Sequence, residues 1–196
     1  MNLKTIHNVY FIGIGGVGMS ALAKYFVALG KNVGGYDKVC SAITESLLEL
    51  GIDIQFETTV NQIDESFINP STTLVVFTPA ISKSNVIFQY FETHNFKILK
   101  RSEVLGLVTE LTQCLAVAGT HGKTTTSSIL GHLMYECNEK VTAFIGGITE
   151  NYQSNLIQNG TEISVVEADE FDRSFLTLRP NIACITSMDA DHLDIY

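Results

Sequence analysis

The residues best suited to chemistry lie in one run in the middle of the chain, AGTHGKTTT at 118–126. In a nucleotide-phosphate loop, glycines let backbone N–H groups close on anionic oxygens, a lysine reaches the terminal phosphates, and a threonine hydroxyl can hold Mg²⁺. Gly122, Lys123 and Thr124 supply these three groups here. The run therefore predicts a loop that binds nucleotide phosphates.

The sequence on either side of this run predicts the elements that position such a loop. Residues 114–118 form a short apolar stretch typical of a strand, and residues 125–135 predict a helix whose N-terminus faces the loop. Gly119 lies closer to Gly122 than the general G-x-x-x-x-G-K-[ST] pattern allows, since Val117 stands where the first glycine would be. We therefore expect a variant phosphate loop, with a chance GKT sequence in a turn as the alternative.

A second glycine-rich run, GIGGVG at 13–18, follows the first predicted strand and satisfies G-x-G-x-x-G. With Asp37 at the end of the next strand, this is the dinucleotide fingerprint, in which the turn approaches a diphosphate and the acid binds a ribose hydroxyl. A UDP-sugar would serve equally well, because it also joins a diphosphate to a ribose. The alternatives are a glycine turn that only packs helix on strand, and an ordinary strand-end or helix-capping role for Asp37.

Two apolar strands, at 163–166 and 182–185, each run into an acidic cluster, at 167–172 and 189–194. In a parallel sheet both clusters emerge at the carboxyl edge, which is also the edge of the phosphate loop. Oxygen ligands at that edge suit Mg²⁺, which takes one or two carboxylates together with phosphates and waters. A pair of solvated acidic loops is the alternative, and a lone His192 is more often structural than a ligand.

Strand and helix patterns alternate along the chain, which predicts parallel sheet with crossover helices and hence an α/β fold. We expect a Rossmann-like parallel-sheet domain over 1–108, followed by the start of a P-loop α/β domain over 109–196. The second would be smaller than the ~100–150 residues usual for a domain, so we expect part of a longer protein. The predicted strands are 8–13, 31–36, 73–77, 97–99, 114–118, 141–145, 163–167 and 182–186, and the predicted helices 17–29, 42–50, 85–94, 102–111 and 125–135.

Composition narrows the class of protein. The 196 residues are 45% hydrophobic and carry a net charge of −9, which argues for a well-filled core and against non-specific nucleic-acid binding. The four cysteines form no C-x-x-C pair, so we expect buried free thiols in a reducing cytosol. The N-terminus has no signal-peptide pattern, and no apolar stretch approaches the roughly 20 residues that span a bilayer. We expect a soluble cytoplasmic protein without membrane insertion.

In this combination and order, the motifs resemble those of the Mur ligase family of peptidoglycan synthesis. The signatures AGTHGKTTT, EADE and DADHLDIY together are highly specific for that family. The matching stretches span nearly the whole chain and are FIGIGGVGMSALA (11–23), GYD (35–37), TPAIS (78–82), RSEVL (101–105), AGTHGKTTT (118–126), VVEADEFDRSFL (165–176) and TSMDADHLDIY (186–196).

The resemblance implies that the first domain binds the UDP moiety of a substrate and not NAD. The diphosphate turn would consist of Gly15, Gly16, Val17 and Gly18, with Asp37 beside the nucleotide. In the second domain, the resemblance implies an ATP site formed by Gly119, Thr120, His121, Gly122, Lys123, Thr124 and Thr125.

The resemblance also implies catalytic and metal-binding roles. Lys123 would contact the β- and γ-phosphates of ATP, and Thr124 would hold the first Mg²⁺. Glu167 matches the family's metal-binding glutamate, and His192 matches its histidine near the second metal. His121, Asp169 and Glu170 are assigned only to the neighbourhood of substrate and metal. Phe171 stands where many relatives carry a small hydroxyl residue, so no side-chain role is transferred to it.

The implied reaction is ATP-dependent amide formation. The lactyl carboxylate of UDP-N-acetylmuramate takes the γ-phosphoryl group, and the amine of L-alanine then displaces phosphate from the acyl phosphate. A ligase of the same family that acts on a preformed murein peptide is one alternative. An NAD-dependent oxidoreductase and a P-loop NTPase switch or binding module are others. Because the family's central domain continues past residue 196 and a third domain follows, we expect this chain to bind substrate fragments without turnover.

Overall fold

The computed structural model describes residues 3–190 and has the expected α/β fold. The chain divides into two compact units, residues 1–101 and 102–196. The domain boundary predicted at residue 108 lies within the helix that begins the second unit. Each unit contains one five-stranded sheet.

The first unit is a parallel sheet in the strand order β3-β2-β1-β4-β5, with three helices as connections. β1 lies at the centre, and four of its five residues are buried. Its continuous apolar sequence follows from this position, because a central parallel strand is covered on both faces. The elements are β1 (Asn8–Ile12), α1 (Val17–Ala28), β2 (Asn32–Tyr36), α2 (Ala42–Glu49), β3 (Asp53–Gln55), β4 (Thr73–Phe77), α3 (Val86–Thr93) and β5 (Lys97–Lys100).

The core of the first unit is rich in aromatic side chains. Tyr10 packs against Phe67 and Phe91, with ring centroids 5.4 and 5.0 Å apart. Its buried hydroxyl donates a hydrogen bond of 2.9 Å to Gln55 Oε1, and burial raises the pKa of Tyr10 well above its ordinary value. The hydroxyl therefore stays protonated, and this buried polar group has its hydrogen-bond partner.

The second unit has the strand order β10-β6-β9-β7-β8. The pairs of β6 with β9 and β10, and of β7 with β9, are parallel, whereas β7 and β8 form an antiparallel pair. A 3-10 helix at Phe171–Thr177 joins β9 to β10. The other elements are α4 (Arg101–Thr109), β6 (Gln113–Ala118), α5 (Lys123–Glu136), β7 (Val141–Thr149), β8 (Ser154–Gln158), β9 (Ile163–Glu167) and β10 (Ile182–Ile185).

The sequence-based prediction missed two strands, β3 and β8. β3 has only three residues, too few for a clear pattern. β8 pairs with a β7 that continues to Thr149, four residues beyond its predicted end, because the strand passes through Gly146 and Gly147 instead of stopping at them.

The expectation of buried thiols is correct for one cysteine and wrong for three. Cys114 is buried in β6, whereas Cys40, Cys137 and Cys184 are exposed. The exposed thiols lie before α2, at the C-cap of α5 and on the edge strand β10, all positions that the sheets do not cover. Among the described residues, no helix combines the length and apolar character needed to cross a membrane.

Candidate functional site

The phosphate loop lies between β6 and α5, as its sequence predicts. β6 ends at Ala118 and α5 begins at Lys123, so four residues form the connection. Gly119 has a φ of +124°, and a Cβ at this position would collide with the hydroxyl of Thr186 and lie 2.8 Å from the backbone nitrogen of Ser187. Gly122 is the N-cap of α5 with a φ of +83° and offers no side-chain cap. The helix therefore begins without a side-chain acceptor, as at sites that bind anions.

Lys123 folds back over this loop. Its Nζ donates hydrogen bonds to the carbonyl oxygen of Gly119 at 2.7 Å and to Glu170 Oε1 at 2.8 Å. The two charged side chains are mostly buried, with 15% of Lys123 and 23% of Glu170 exposed. Since a cation in the first turn of a helix opposes the helix dipole, the carboxylate of Glu170 supplies the negative charge that Lys123 needs there.

Glu167 lies beside the loop at the carboxyl end of β9. Thr124 Oγ1 donates to its Oε2 at 3.1 Å. Its Oε1 accepts from Ser127 Oγ at 3.0 Å and from the backbone nitrogen of Gly146 at 2.7 Å. Three donors from α5 and β7 thus fix this carboxylate next to the threonine hydroxyl.

The pair of Thr124 and Glu167 matches the ligand preference of Mg²⁺, which binds oxygen donors and uses only one or two protein carboxylates. Within residues 3–190, no group of three or more His, Cys, Asp or Glu side chains is arranged to hold a metal ion. A hydroxyl and one carboxylate therefore suit a metal that also binds phosphate and water. His192, the third predicted ligand, lies outside the described residues.

The segment after β10 holds the first half of the phosphate loop. The Thr186 hydroxyl donates to the carbonyl oxygens of Ala118, at 3.1 Å, and His121. The backbone nitrogens of Thr120 and His121 donate to the carbonyl and hydroxyl oxygens of Ser187, at 3.2 and 2.9 Å. The Thr120 hydroxyl adds two hydrogen bonds of 3.0 Å, donating to the carbonyl oxygen of Asp189 and accepting from its backbone nitrogen, so this segment fixes the loop through its backbone and through one side chain.

Two other side chains near the phosphate loop, those of His121 and Thr125, are exposed to solvent. The His121 imidazole lies 3.8 Å from a carboxylate oxygen of Asp189, and both side chains are more than half exposed. Such an exposed pair contributes little to stability. Thr125, in the first turn of α5, lines an open pocket of about 550 Å³ between α5 and the β7–β8 hairpin.

In the first unit, Asp37 braces the glycine turn between β1 and α1. Its two carboxylate oxygens accept from the backbone nitrogens of Gly15, at 2.7 Å, and Val39, at 3.0 Å. A Cβ on Gly15 would lie only 2.8 Å from the Asp37 carboxylate and 2.9 Å from Thr44. Gly16 is the N-cap of α1 and has no side-chain cap, and Val17 and Gly18 form the first turn of the helix. The structure therefore brings the predicted turn residues and Asp37 together.

Both units of the chain match protein families that are already known. Residues 8–112 match the model of the Mur ligase family, catalytic domain, and residues 117–196 match the Mur ligase middle domain. The chain belongs to the Mur ligase family. The resemblance of its motifs to this family is therefore confirmed.

Two curated Mur ligases match the chain over its full length. It is 63% identical to the UDP-N-acetylmuramate–L-alanine ligase of Flavobacterium psychrophilum and 61% identical to that of Flavobacterium johnsoniae. Each match covers 100% of this chain, but only 44% and 43% of the relatives. The chain thus spans less than half the length of these Mur ligases.

Solved Mur ligase structures have the same fold. The UDP-N-acetylmuramate-alanine ligase of Thermotoga maritima matches with a TM-score of 0.81 and 29% identity, over 95% of this chain and 43% of that one. The UDP-N-acetylmuramate:L-alanyl-gamma-D-glutamyl-meso-diaminopimelate ligase of Neisseria meningitides matches with a TM-score of 0.84 and 26% identity, over 97% and 63%. The α/β fold class is confirmed.

Sequence alone did not identify some residues near the phosphate loop and near the glycine turn. Ser127 follows Thr124 by one helical turn, so its contact with Glu167 could have been inferred from the helical period. The backbone donor at Gly146 lies on a different strand, and nothing in its local sequence marks it. The side chain of Arg101 reaches the first turn of α1, where a Cβ on Gly18 would lie 2.9 Å from Arg101 Nη1.

Proposed function

We propose that this chain is part of an ATP-dependent ligase that joins L-alanine to UDP-N-acetylmuramate through an acyl phosphate. The observation that carries the proposal is the 63% identity, over all 196 residues, to a relative of that name. The presence of a glycine turn in one unit and a phosphate loop in the other supports it, because the reaction uses two nucleotide substrates.

In the first unit, the proposed ligand is the UDP moiety, and the proposed domain spans residues 1–108. Backbone N–H groups of Gly15, Gly16, Val17 and Gly18 would contact its diphosphate at the N-terminus of α1. Asp37 would lie beside the nucleotide while it holds the turn through Gly15, a contact of 2.7 Å. Its carboxylate thus has a structural task in addition to any contact with the ligand.

In the second unit, the proposed domain spans residues 109–196 and the ligand is ATP. The loop residues from Gly119 to Thr125 would surround its phosphates, and Lys123 Nζ would place positive charge on the β- and γ-phosphates. Thr124 and Glu167 would hold Mg²⁺, with His192 near a second ion. Bound Mg²⁺ neutralises charge on the phosphoryl group that is transferred.

Under this proposal, most of the catalysis is electrostatic and positional. A carboxylate oxygen of the muramate attacks the γ-phosphorus and ADP leaves. The alanine amine then attacks the acyl carbon, phosphate leaves, and the nitrogen loses a proton. Lys123 and the N-terminus of α5 stabilise the negative charge that spreads over the phosphoryl oxygens in the first step.

A murein-peptide ligase of the same family is the second candidate. It is supported by the fold of the ligase from Neisseria meningitides, which matches with the higher of the two TM-scores, 0.84 against 0.81. The identity of 26% to that protein is far below the 63% to the Flavobacterium psychrophilum alanine ligase, so the alanine ligase is the better proposal.

Removal of the lysine charge tests the ATP site. We expect Lys123→Ala to weaken binding of Mg²⁺-ATP by about a hundred-fold, because charge-assisted contacts to phosphate are among the strongest polar contacts. Isothermal titration of residues 1–196 measures the dissociation constant. Lys140→Ala removes an exposed lysine of the same unit and is the matched control. Equal affinities of the Lys123 variant and the unchanged chain would contradict the proposal.

A further inference from the structure

Glu170 makes a contact that the proposed function does not explain. Its Oε1 accepts from Lys123 Nζ at 2.8 Å, although the two residues are far apart in sequence and Glu170 lies beyond the end of β9. The proposed role of Lys123 is to bind phosphate. In the structure, its positive charge is already paired with a carboxylate.

The backbone around Glu170 is fixed, so the pair is a built feature of the fold. The backbone nitrogen of Ala168 donates to the carbonyl of Val117 at 2.8 Å, which ties this segment to β6. The backbone nitrogen of Arg173 donates to the carbonyl of Glu170 at 3.0 Å. Glu170 is the N-cap residue of the following 3-10 helix, but its side chain does not cap that helix. The carboxylate points to Lys123 instead.

A phosphate group and Glu170 would compete for the same ammonium group. Both are anions, and two of the three N–H donors of Lys123 Nζ already bind the carbonyl of Gly119, at 2.7 Å, and Glu170, so contact with both the β- and the γ-phosphate would have to displace the carboxylate. When phosphate takes Nζ, Glu170 loses a partner while three quarters of its side chain stays buried, and it lies close to the arriving negative charge. The loss of the pair and the repulsion between anions both oppose nucleotide binding.

We propose that Glu170 is a positioning residue that holds Lys123 over the empty phosphate loop and releases it to the arriving phosphate. This proposal rests on the proposed function only in taking phosphate as the ligand of Lys123. Without bound nucleotide, Glu170 keeps the cation at the N-terminus of α5 paired. The same pairing lowers the affinity for nucleotide.

The competition predicts that loss of the Glu170 charge tightens phosphate binding. Glu170→Gln keeps the size and a hydrogen-bond acceptor, so the fold is retained. We expect it to bind metal-free ATP about five- to ten-fold more tightly, since a neutral acceptor holds an ammonium group roughly half as strongly as a carboxylate does. Glu139→Gln removes one exposed carboxylate of the same unit and controls for net charge.

A double-mutant cycle separates this role from a merely structural one. With Lys123→Met in the background, Glu170→Gln should tighten binding of metal-free ATP clearly less than it does in the unchanged chain, because only the repulsion between anions is then relieved. Because this titration contains no metal, a change in affinity cannot come from a role of Glu170 as a metal ligand. Unchanged or weaker binding of metal-free ATP by Glu170→Gln would overturn the proposal, as would an equal effect in both backgrounds.

A second measurement does not depend on ATP. Trinitrobenzenesulfonate modifies free amines, and mass spectrometry gives the rate at Lys123 without nucleotide. We expect Glu170→Gln to raise the rate of modification of Lys123 several-fold relative to Glu139→Gln. An unchanged rate would contradict the proposal that Glu170 holds Lys123 in place. A raised rate in a chain that binds no ATP would contradict the proposed ATP site, while it would still support the pairing of Glu170 with Lys123.

Discussion

Glu167 shows how one side chain depends on donors from several elements. Its carboxylate accepts from Thr124, Ser127 and the backbone of Gly146. The sequence predicts Glu167 from its place after an apolar strand, and Thr124 from the loop motif. The donor at Gly146 could not be predicted, since only the register of β7 against β9 brings it there.

This dependence makes Gly146 a sensitive position. A Cβ there would lie 2.6 Å from Glu167 Oε2, so Gly146→Ala must displace the carboxylate. We expect the Mg²⁺-dependent gain in ATP affinity to fall about ten-fold, in line with the usual cost of losing a group that orients a metal ligand. Titrations with and without Mg²⁺ give this gain.

The neighbouring glycine provides the control for this test. A Cβ on Gly147 would make an ordinary contact of 3.5 Å with Thr124, so Gly147→Ala should bind Mg²⁺-ATP like the unchanged chain. The same loss in both variants would show that the strand and not the carboxylate is responsible.

The thiols provide a test of burial at single residues. Burial raises the pKa of the Cys114 thiol, and a buried thiol reacts only when the structure opens. We expect Ellman's reagent at pH 8 to modify three thiols quickly and Cys114 on the order of a hundred-fold more slowly. In denaturant all four should react alike. Four equal rates in the folded chain would contradict the burial of Cys114.

Among the elements, strands with a continuous apolar run could be predicted, and two strands without one could not. β4 and β9 have the predicted bounds, because four- and five-residue apolar runs between polar turns leave little choice. β3 and β8 are edge strands, each paired with one neighbour only, β2 and β7, and this pairing determines them more than their local sequence does. The predicted starts of α1 and α2 are those of the structure, although only α2 has a side-chain cap, from Ser41.

The cap of α2 allows a prediction about stability. Ser41 Oγ accepts from the backbone nitrogen of Thr44, and the Thr44 hydroxyl in turn accepts from the backbone nitrogen of Ser41. We expect Ser41→Ala to lower the free energy of unfolding by about 1 kcal/mol, the usual cost of a lost N-cap. Urea denaturation measures it. Ser46→Ala, within the same helix, should change stability by no more than about 0.5 kcal/mol, and equal losses would argue against the cap.

At the scale of the whole molecule, two units each carry a glycine-rich connection between a strand and a helix, but the two connections differ in chemistry. In the turn at 13–18, the carboxylate of Asp37 accepts a hydrogen bond from the backbone of Gly15. The loop at 119–122 is instead followed by Lys123, which bonds the carbonyl of Gly119, and by Thr124. The first alone fits NAD as well as a UDP-sugar. The presence of the second in the same chain favours the UDP-sugar, because a ligase driven by ATP needs both.

The central claim is therefore tested most directly by the ligand of the first unit. Isothermal titration of residues 1–196 with UDP-N-acetylmuramate should give saturable binding, and NAD at the same concentrations should give none. Gly15→Ala should weaken this binding, because its Cβ would lie 2.8 Å from the Asp37 carboxylate that braces the turn, whereas Gly30→Asn, far from any neighbour, should not. Tight binding of NAD without binding of UDP-N-acetylmuramate would contradict the account.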